Sequence, residues 1–193
     1  MNARHAPLAD RTVAFLATDG VEEIEYTQPR AAAERAGARV ELLSLCSNPI
    51  RSVRYDLEPS TSYPVDRLVS QAVPDTYDAL VLPGGAVNPD RLRMDPDVIR
   101  FVRAFFDLGR PIAAICHGPW TLVEADVVLG RVVTSYPSLR TDITNAGGTW
   151  VDEAVHVDES LITSRGPGDL EAFCACLVTE VARAPHAGAK VTA

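Results

Sequence analysis

No apolar run in this sequence approaches the roughly 18 residues that would suggest a membrane span, so no membrane partner is expected. Basic charge is scarce too: 18 Lys and Arg stand against 26 Asp and Glu, a formal net charge of −8. That balance favours solubility and opposes nonspecific nucleic-acid binding, and no basic patch with interleaved aromatics offsets it. Cys46, Cys116, Cys174 and Cys176 form no CxxC pair, and no histidine cluster accompanies them. Neither a metal site nor a disulfide framework is expected, and no cofactor; free thiols suit a reducing cytosol. The opening MNARHAPLADR lacks the apolar segment of a signal peptide. It reads as a disordered lead-in over residues 1–11, and the expected location is cytoplasmic. Internal repeats, low-complexity segments and domain boundaries are also missing.

What is present is an ordinary globular composition: 193 residues, 47% apolar and 23% charged. That suits one domain able to bury a core. TVAFLA (12–17) reads as a buried parallel strand and TQPRAAAERAG (27–37) as a helix, with Pro29 in its first turn and Gly37 at its end. RVELLSL (39–45) is the next strand. Residues 49–66 break the rhythm and suit a hairpin or edge excursion. Further strands are expected in YDALVLPGG, RPIAAIC and RVVTSY, and two in TWVDEAVHVDESLITSR. Helices are expected over 96–109, 119–130, 138–147 and 168–184. Alternating strands and helices imply an α/β domain over 12–184, with a mostly parallel sheet between helices. Residues 185–193 read as a loose tail.

Functional groups in such a sheet collect at the carboxyl ends of strands. Three loops there are chemically loaded: TDGVEEIEY, LPGGAVNPD and CHGPW. Cys116 sits where a strand must turn abruptly into a helix, a position that can expose a nucleophile. A helix N-terminus there lends thiolate character. Gly118 leaves space beside it, and the Gly84 and Gly85 amides are candidate oxyanion donors. The alternative is an inert buried cysteine. His117 is either a base brought to the sulfur by the turn or a cap residue. Asp19, Glu22, Glu23 and Glu25 are either a solvated acidic loop or a source of one desolvated carboxyl. Glu22 and Glu25 share a face if the helix begins early, and a protonated acid there could donate a hydrogen bond to a thiolate.

The stretches TDGVEEIEYTQP, LVLPGG, PDRLR, AAICHGPW, SYPSLRTDITNAGGTWVDE and LITSRGPGDLEAF together resemble the PfpI branch of the ThiJ/PfpI superfamily. The resemblance covers about residues 12–181. It implies a three-layer flavodoxin-like sandwich, similar to the class I glutamine amidotransferase domain. Cys116 then matches the elbow nucleophile, His117 its neighbour, Glu25 the carboxyl bonded to the sulfur, and Glu22 a second pocket acid. The histidine's acidic partner comes from a neighbouring subunit in that branch, and the matching position is Asp90. Asp is shorter than the Glu often found there, and the loop is a residue longer. A late histidine of the glutaminase type is absent from LITSRGPGDLEAF, and His156, in an apparent strand, reads as structural. A glutaminase is therefore rejected.

Three functions remain. The first is a stress-response cysteine hydrolase, an intracellular peptidase or amidase, working as a homodimer or higher oligomer on a peptide. The second is a glyoxalase or protein deglycase in which Cys116 adds to a small carbonyl such as methylglyoxal or its adducts, with Glu25 or His117 moving the proton. The third is a redox sensor or chaperone based on Cys116 oxidation. The hydrolase is ranked first.

Overall fold

The computed structural model describes residues 6–187. In chain order it contains strand β1 (Thr12–Leu16), the short strand β2 (Val21–Glu22), helix α1 (Glu23–Arg35), β3 (Arg39–Ser44), β4 (Ile50–Arg54), β5 (Glu58–Tyr63), β6 (Arg67–Leu68) and β7 (Ala79–Leu82). Then come α2 (Val87–Arg93), α3 (Pro96–Asp107), β8 (Ile112–Ile115), α4 (Pro119–Glu124), β9 (Val132–Val133) and α5 (Arg140–Asn145). The chain closes with β10 (Thr149–Trp150), β11 (Val155–Asp158), β12 (Leu161–Ser164) and α6 (Leu170–Arg183).

Seven strands form the central sheet in the order β11-β12-β8-β7-β1-β3-β6. Only the β11–β12 pair is antiparallel. Every residue of β7 and β8 is buried, as a strand covered on both faces requires. Alternate residues feed two cores. Ala14, Leu16, Leu80, Leu82, Phe101 and Phe105 pack on one side; Val13, Phe15, Val81, Ile115, Phe173 and Leu177 pack on the other. The expected α/β fold, with helices on both faces of a mostly parallel sheet, is therefore present. From β1 the chain winds one way to β3 and β6, the other way to β7 and β8. The switch point lies between β1 and β7, and a crevice opens there beyond the carboxyl ends of the strands.

Several boundaries differ from the sequence expectation. Helix α1 begins at Glu23, four residues before the expected start at 27, so Pro29 lies inside it. Proline there removes the donor to the Glu25 carbonyl and crowds that carbonyl, and its ring is buried. Helix α4 stops at Glu124, well short of 130. Asp126 takes a left-handed φ of 57°, and the Val127 amide donates back to the Leu122 carbonyl, a closure that ends a helix. The strand expected at 131–136 shrinks to β9, which pairs with β10 outside the central sheet. Residues 49–66 form the β4–β5 hairpin, joined to β2 in a separate three-stranded sheet. The NPD that ends LPGGAVNPD, read as loop, lies within α2.

The lead-in needs correction from residue 6 onward. Leu8 is fully buried and its amide donates to the Ala36 carbonyl, while Arg11 pairs with Asp78 at 3.0 Å. The start of the expected tail is also tied down, since the Ala187 amide donates to Asp78. Residues 1–5 and 188–193, the remainder of the lead-in and tail, lie outside the described residues.

Candidate active site

Cys116 follows β8 directly and has a φ of 60°. A non-glycine residue holds that left-handed conformation only where its surroundings enforce it. Here the Cys116 amide donates to Ser164 of β12, its carbonyl accepts from the Tyr136 amide, and the Gly118 amide donates to the Ile115 carbonyl. Three backbone bonds from three directions fix the elbow. The side chain points toward the switch crevice, where Glu25 and Gly84 meet it.

The same bend brings His117 back to the sulfur. Its Nδ1 lies 3.3 Å from Cys116 Sγ, and its Nε2 lies 3.3 Å from the Ser138 hydroxyl. The ring stacks on Tyr136 with centroids 4.7 Å apart and leans on Trp120. Burial lowers its pKa, opposed by the charge of Asp56. The imidazole is therefore neutral near neutral pH and can accept a proton.

Glu25, in the first turn of α1, is completely buried. Its Oε2 accepts from the Gly84 amide at 2.9 Å, and its Oε1 has no hydrogen-bond partner. Burial pushes its carboxyl up to about 8, opposed by its interaction with Cys116 and the Gly84 amide. A carboxyl with one satisfied oxygen and one bare oxygen is well placed to be protonated on the bare one. Glu22 is also buried, and burial raises its pKa, opposed by backbone donors from Asp56 and Tyr55. Its Oε2 accepts from the Asp56 amide at 3.0 Å.

Thiolate character from the helix terminus is not the dominant influence on Cys116. Burial, then the charge of Glu25, raises the thiol well above its ordinary value. The physical reason is visible in α4. It spans 6 residues and starts at Pro119, which has no N–H to contribute, so its terminus does little against desolvation. The charge of Glu25 disfavours a thiolate at Cys116, so the pair holds at most one negative charge near neutrality.

The glycines act differently from the sequence expectation. The Gly84 amide is taken by Glu25. A Cβ on Gly84 would lie 2.5 Å from Glu25 Oε2 and 2.7 Å from Cys116 Cβ, so glycine here permits the acid and the thiol to approach. Gly85, with a φ of 79°, has an amide without a partner among the described residues and remains a candidate donor. The room beside Gly118 is filled by the backbone of β7 and β8. Asp90 is exposed in the first turn of α2 and makes no hydrogen bond or ion pair among the described residues. Within one chain the acid is not brought to His117.

Two site residues escaped the sequence reading. Ser138 meets His117 from beyond β9, and Asp56 reaches the pocket from the hairpin between β4 and β5. No spacing relates either to Cys116; Ser138 lies in the SYPSLR stretch that carries the resemblance, but nothing in it marks that serine as a partner of His117. A 490 Å³ cleft adjoins Glu22 and is lined by Glu23, Ile24, Arg54 and Tyr55. The larger 850 Å³ groove between α1 and α6 contains none of the site side chains. No group of three or more potential metal ligands comes together among the described residues.

An α/β sheet with a cysteine on a strained strand-to-helix elbow, a histidine at its sulfur and a buried carboxyl beside it defines a nucleophile-elbow protein. The chain belongs to the DJ-1/PfpI family, which matches residues 11–180. YraA of Bacillus subtilis, named provisionally as a cysteine protease, is 38% identical over 84% of this chain and 94% of its own. Deglycase PfpI of Pyrococcus furiosus is 37% identical over 83% of this chain and 93% of its own. Among solved structures, a two-domain protein of Anabaena variabilis with DJ-1/ThiJ/PfpI-like and ferritin-like domains superposes with a TM-score of 0.84 and 33% identity. The superposition covers 93% of this chain and 51% of that protein, so this chain spans about half its length.

Proposed function

We infer that this protein is a cysteine-dependent enzyme acting on small reactive carbonyls, of the glyoxalase or deglycase type, with Cys116 as nucleophile. The observation that carries the reading is Glu25: a buried carboxyl packed through Gly84 against Cys116, pushed up to about 8 and so protonated near neutrality, with one oxygen free of any partner. Such an acid serves a reaction in which a carbonyl oxygen gains a proton as sulfur attacks. His117 Nδ1 takes the thiol proton while sulfur bonds to the aldehyde carbon of methylglyoxal, and Glu25 protonates the new alkoxide. A proton then moves from that carbon to its neighbour, leaving a lactoyl thioester on Cys116. Water cleaves the thioester to lactic acid and regenerates the thiol. One substrate carbon is oxidised and the other reduced, so no external oxidant is required. With an amine adduct of methylglyoxal, the sulfur displaces the amine to give the same hemithioacetal. The name of the Pyrococcus relative agrees with this chemistry.

The cysteine hydrolase is the second reading, favoured by the name of the Bacillus relative. It requires an acid for His117, which Asp90 of a second copy would supply, and therefore at least a homodimer. The order of the two readings reverses the sequence expectation because Cys116 is only 5% exposed, which suits a small carbonyl better than a peptide. The deciding experiment measures lactate from methylglyoxal, and amine release from a methylglyoxal adduct of N-acetyllysine, alongside peptide hydrolysis. Lactate formation that disappears in Cys116→Ser is expected. Unchanged lactate in that variant, or peptide cleavage without carbonyl turnover, refutes the carbonyl reading.

A further inference from the structure

Asp56 sits in the turn between β4 and β5, and none of the motifs around Cys116 points to it. One observation makes this turn more than a connection. The left-handed backbone of Tyr55 and Asp56, with φ of 53° and 62°, is what a type I′ hairpin turn requires, and the Leu57 amide closes it on the Arg54 carbonyl. What reaches beyond the hairpin is the bonding of Asp56. The Asp56 amide donates to Glu22 Oε2 at 3.0 Å, and Asp56 Oδ1 accepts from the Ala86 amide at 2.8 Å. One residue therefore links the acid that follows β1 to the glycine loop that follows β7, the two walls of the switch crevice.

We propose that Asp56 is a positioning residue of the Cys116 site: it clamps the hairpin to Glu22 and the Gly84–Gly85–Ala86 loop, and so sets its carboxylate on the loop that packs against Cys116. The role rests on reading Cys116 as the reactive group and not on any particular substrate. The groups facing the pair come from several elements. Cys116 meets Glu25 of α1 and the His117 ring beside it. His117 meets Ser138 and the ring of Tyr136. The charges of Asp56 and, for Glu25, Glu22 act on these groups without direct contact. Arg54, the cation of the adjoining cleft, is tied to Glu23 at 2.6 Å. The charge of Asp56 raises the proton affinity of Glu22, Glu25, Cys116 and His117 alike. Solvent screens it, since Asp56 is exposed, so the effect is modest.

Removing that charge must move every titration of the site toward lower pH. The test is the pH dependence of iodoacetamide labelling at Cys116, read by mass spectrometry of its peptide, in wild type, Asp56→Asn and Asp56→Ala. Asparagine keeps the backbone donor to Glu22 and an acceptor for the Ala86 amide, so it isolates the charge. Below the thiol's titration the labelling rate of Asp56→Asn at fixed pH is expected to rise about threefold, the equivalent of half a pH unit, and the acid limb of methylglyoxal turnover should move to lower pH with it. Asp56→Ala should show the same displacement and label faster still at fixed pH, because the clamp is lost. If Asp56→Ala fails to fold, Asp56→Asn still decides. A folded Asp56→Asn whose labelling curve overlays that of wild type, or moves to higher pH, overturns the proposal. A move of the labelling curve to lower pH without any methylglyoxal turnover upholds the role of Asp56 while rejecting the carbonyl chemistry.

Discussion

The two ends of the central sheet bury acids in opposite ways. At the amino end, Asp78 is 2% exposed and sits just before β7. Burial would raise its pKa, but the Ala187 and Thr12 amides and the Arg11 guanidinium outweigh that, and the net shift is downward. At the carboxyl end, Glu25 is as deeply buried but receives one backbone donor and no cation, and its pKa rises to about 8. Burial is therefore not what distinguishes a structural carboxylate from a reactive carboxyl. The number of donors aimed at each oxygen decides it. The amino end is a closed ionic staple joining Arg11 and Ala187 to the start of β7, and the carboxyl end is left one partner short.

The strongest test of that contrast breaks the staple. Asp78→Ala strands the buried Arg11 guanidinium and should lower stability by about 3–5 kcal/mol, measured by urea unfolding. Because the Asp78 pKa is lowered by folding, its contribution is present above the ordinary aspartate value of 3.8 and lost as pH falls through the folded value. Wild type and Asp78→Asn should therefore converge on acidification. Cys116 labelling should change little, since the staple lies at the other end of the strands.

Glu25 gives the opposite slope. Its carboxyl titrates at 4.5 when unfolded and about 8 when folded, so the folded protein binds the extra proton between those values. Stability should fall as pH rises through that window, by roughly 1.4 kcal/mol for each pH unit crossed, and level off above it. Glu25→Gln removes the titrating group, and its unfolding free energy should be flatter from pH 5 to 8. A slope equal to that of wild type would show that Glu25 is not the protonated acid.

A smaller effect is expected from Gly84→Ala. The added methyl meets both Glu25 Oε2 and Cys116 Cβ, so a stability loss of about 1–3 kcal/mol should accompany altered Cys116 labelling. Ser138→Ala should have the least effect. It removes only the partner of His117 Nε2, and a loss of about 0.5–1.5 kcal/mol with a modest drop in lactate formation is expected. A drop as large as that of Cys116→Ser would make Ser138 part of the catalytic machinery.

Much of the fold was legible because its signals are local. Buried strands such as Ala79–Leu82 and Ile112–Ile115 are short apolar runs bounded by glycine and proline, and α3 shows plain helical spacing. The misplaced boundaries were those where tertiary contacts override local preference. Helix α1 begins before its proline, where the acids of its first turn meet the hairpin and the glycine loop. Helix α4 ends early because Asp126 closes it. Leu8 and Arg11 looked like part of a polar lead-in, yet each has a partner far along the chain, in Ala36 and Asp78.

The same division runs through the site. Sequence alone determined that Cys116 and His117 sit at a strand-to-helix turn, that Glu22 and Glu25 follow the first strand closely, and that glycines adjoin them. Those facts follow from motifs only a few residues long. Only the tertiary structure decided that the thiol is raised by burial instead of lowered by a helix terminus, that the Gly84 amide serves Glu25, and that Asp56 and Ser138 belong to the site. Proton affinity depends on what surrounds a group in space, and the surroundings of Cys116 come from α1, the β4–β5 turn, the β7 loop and the segment after β9, which the folded sheet alone brings together.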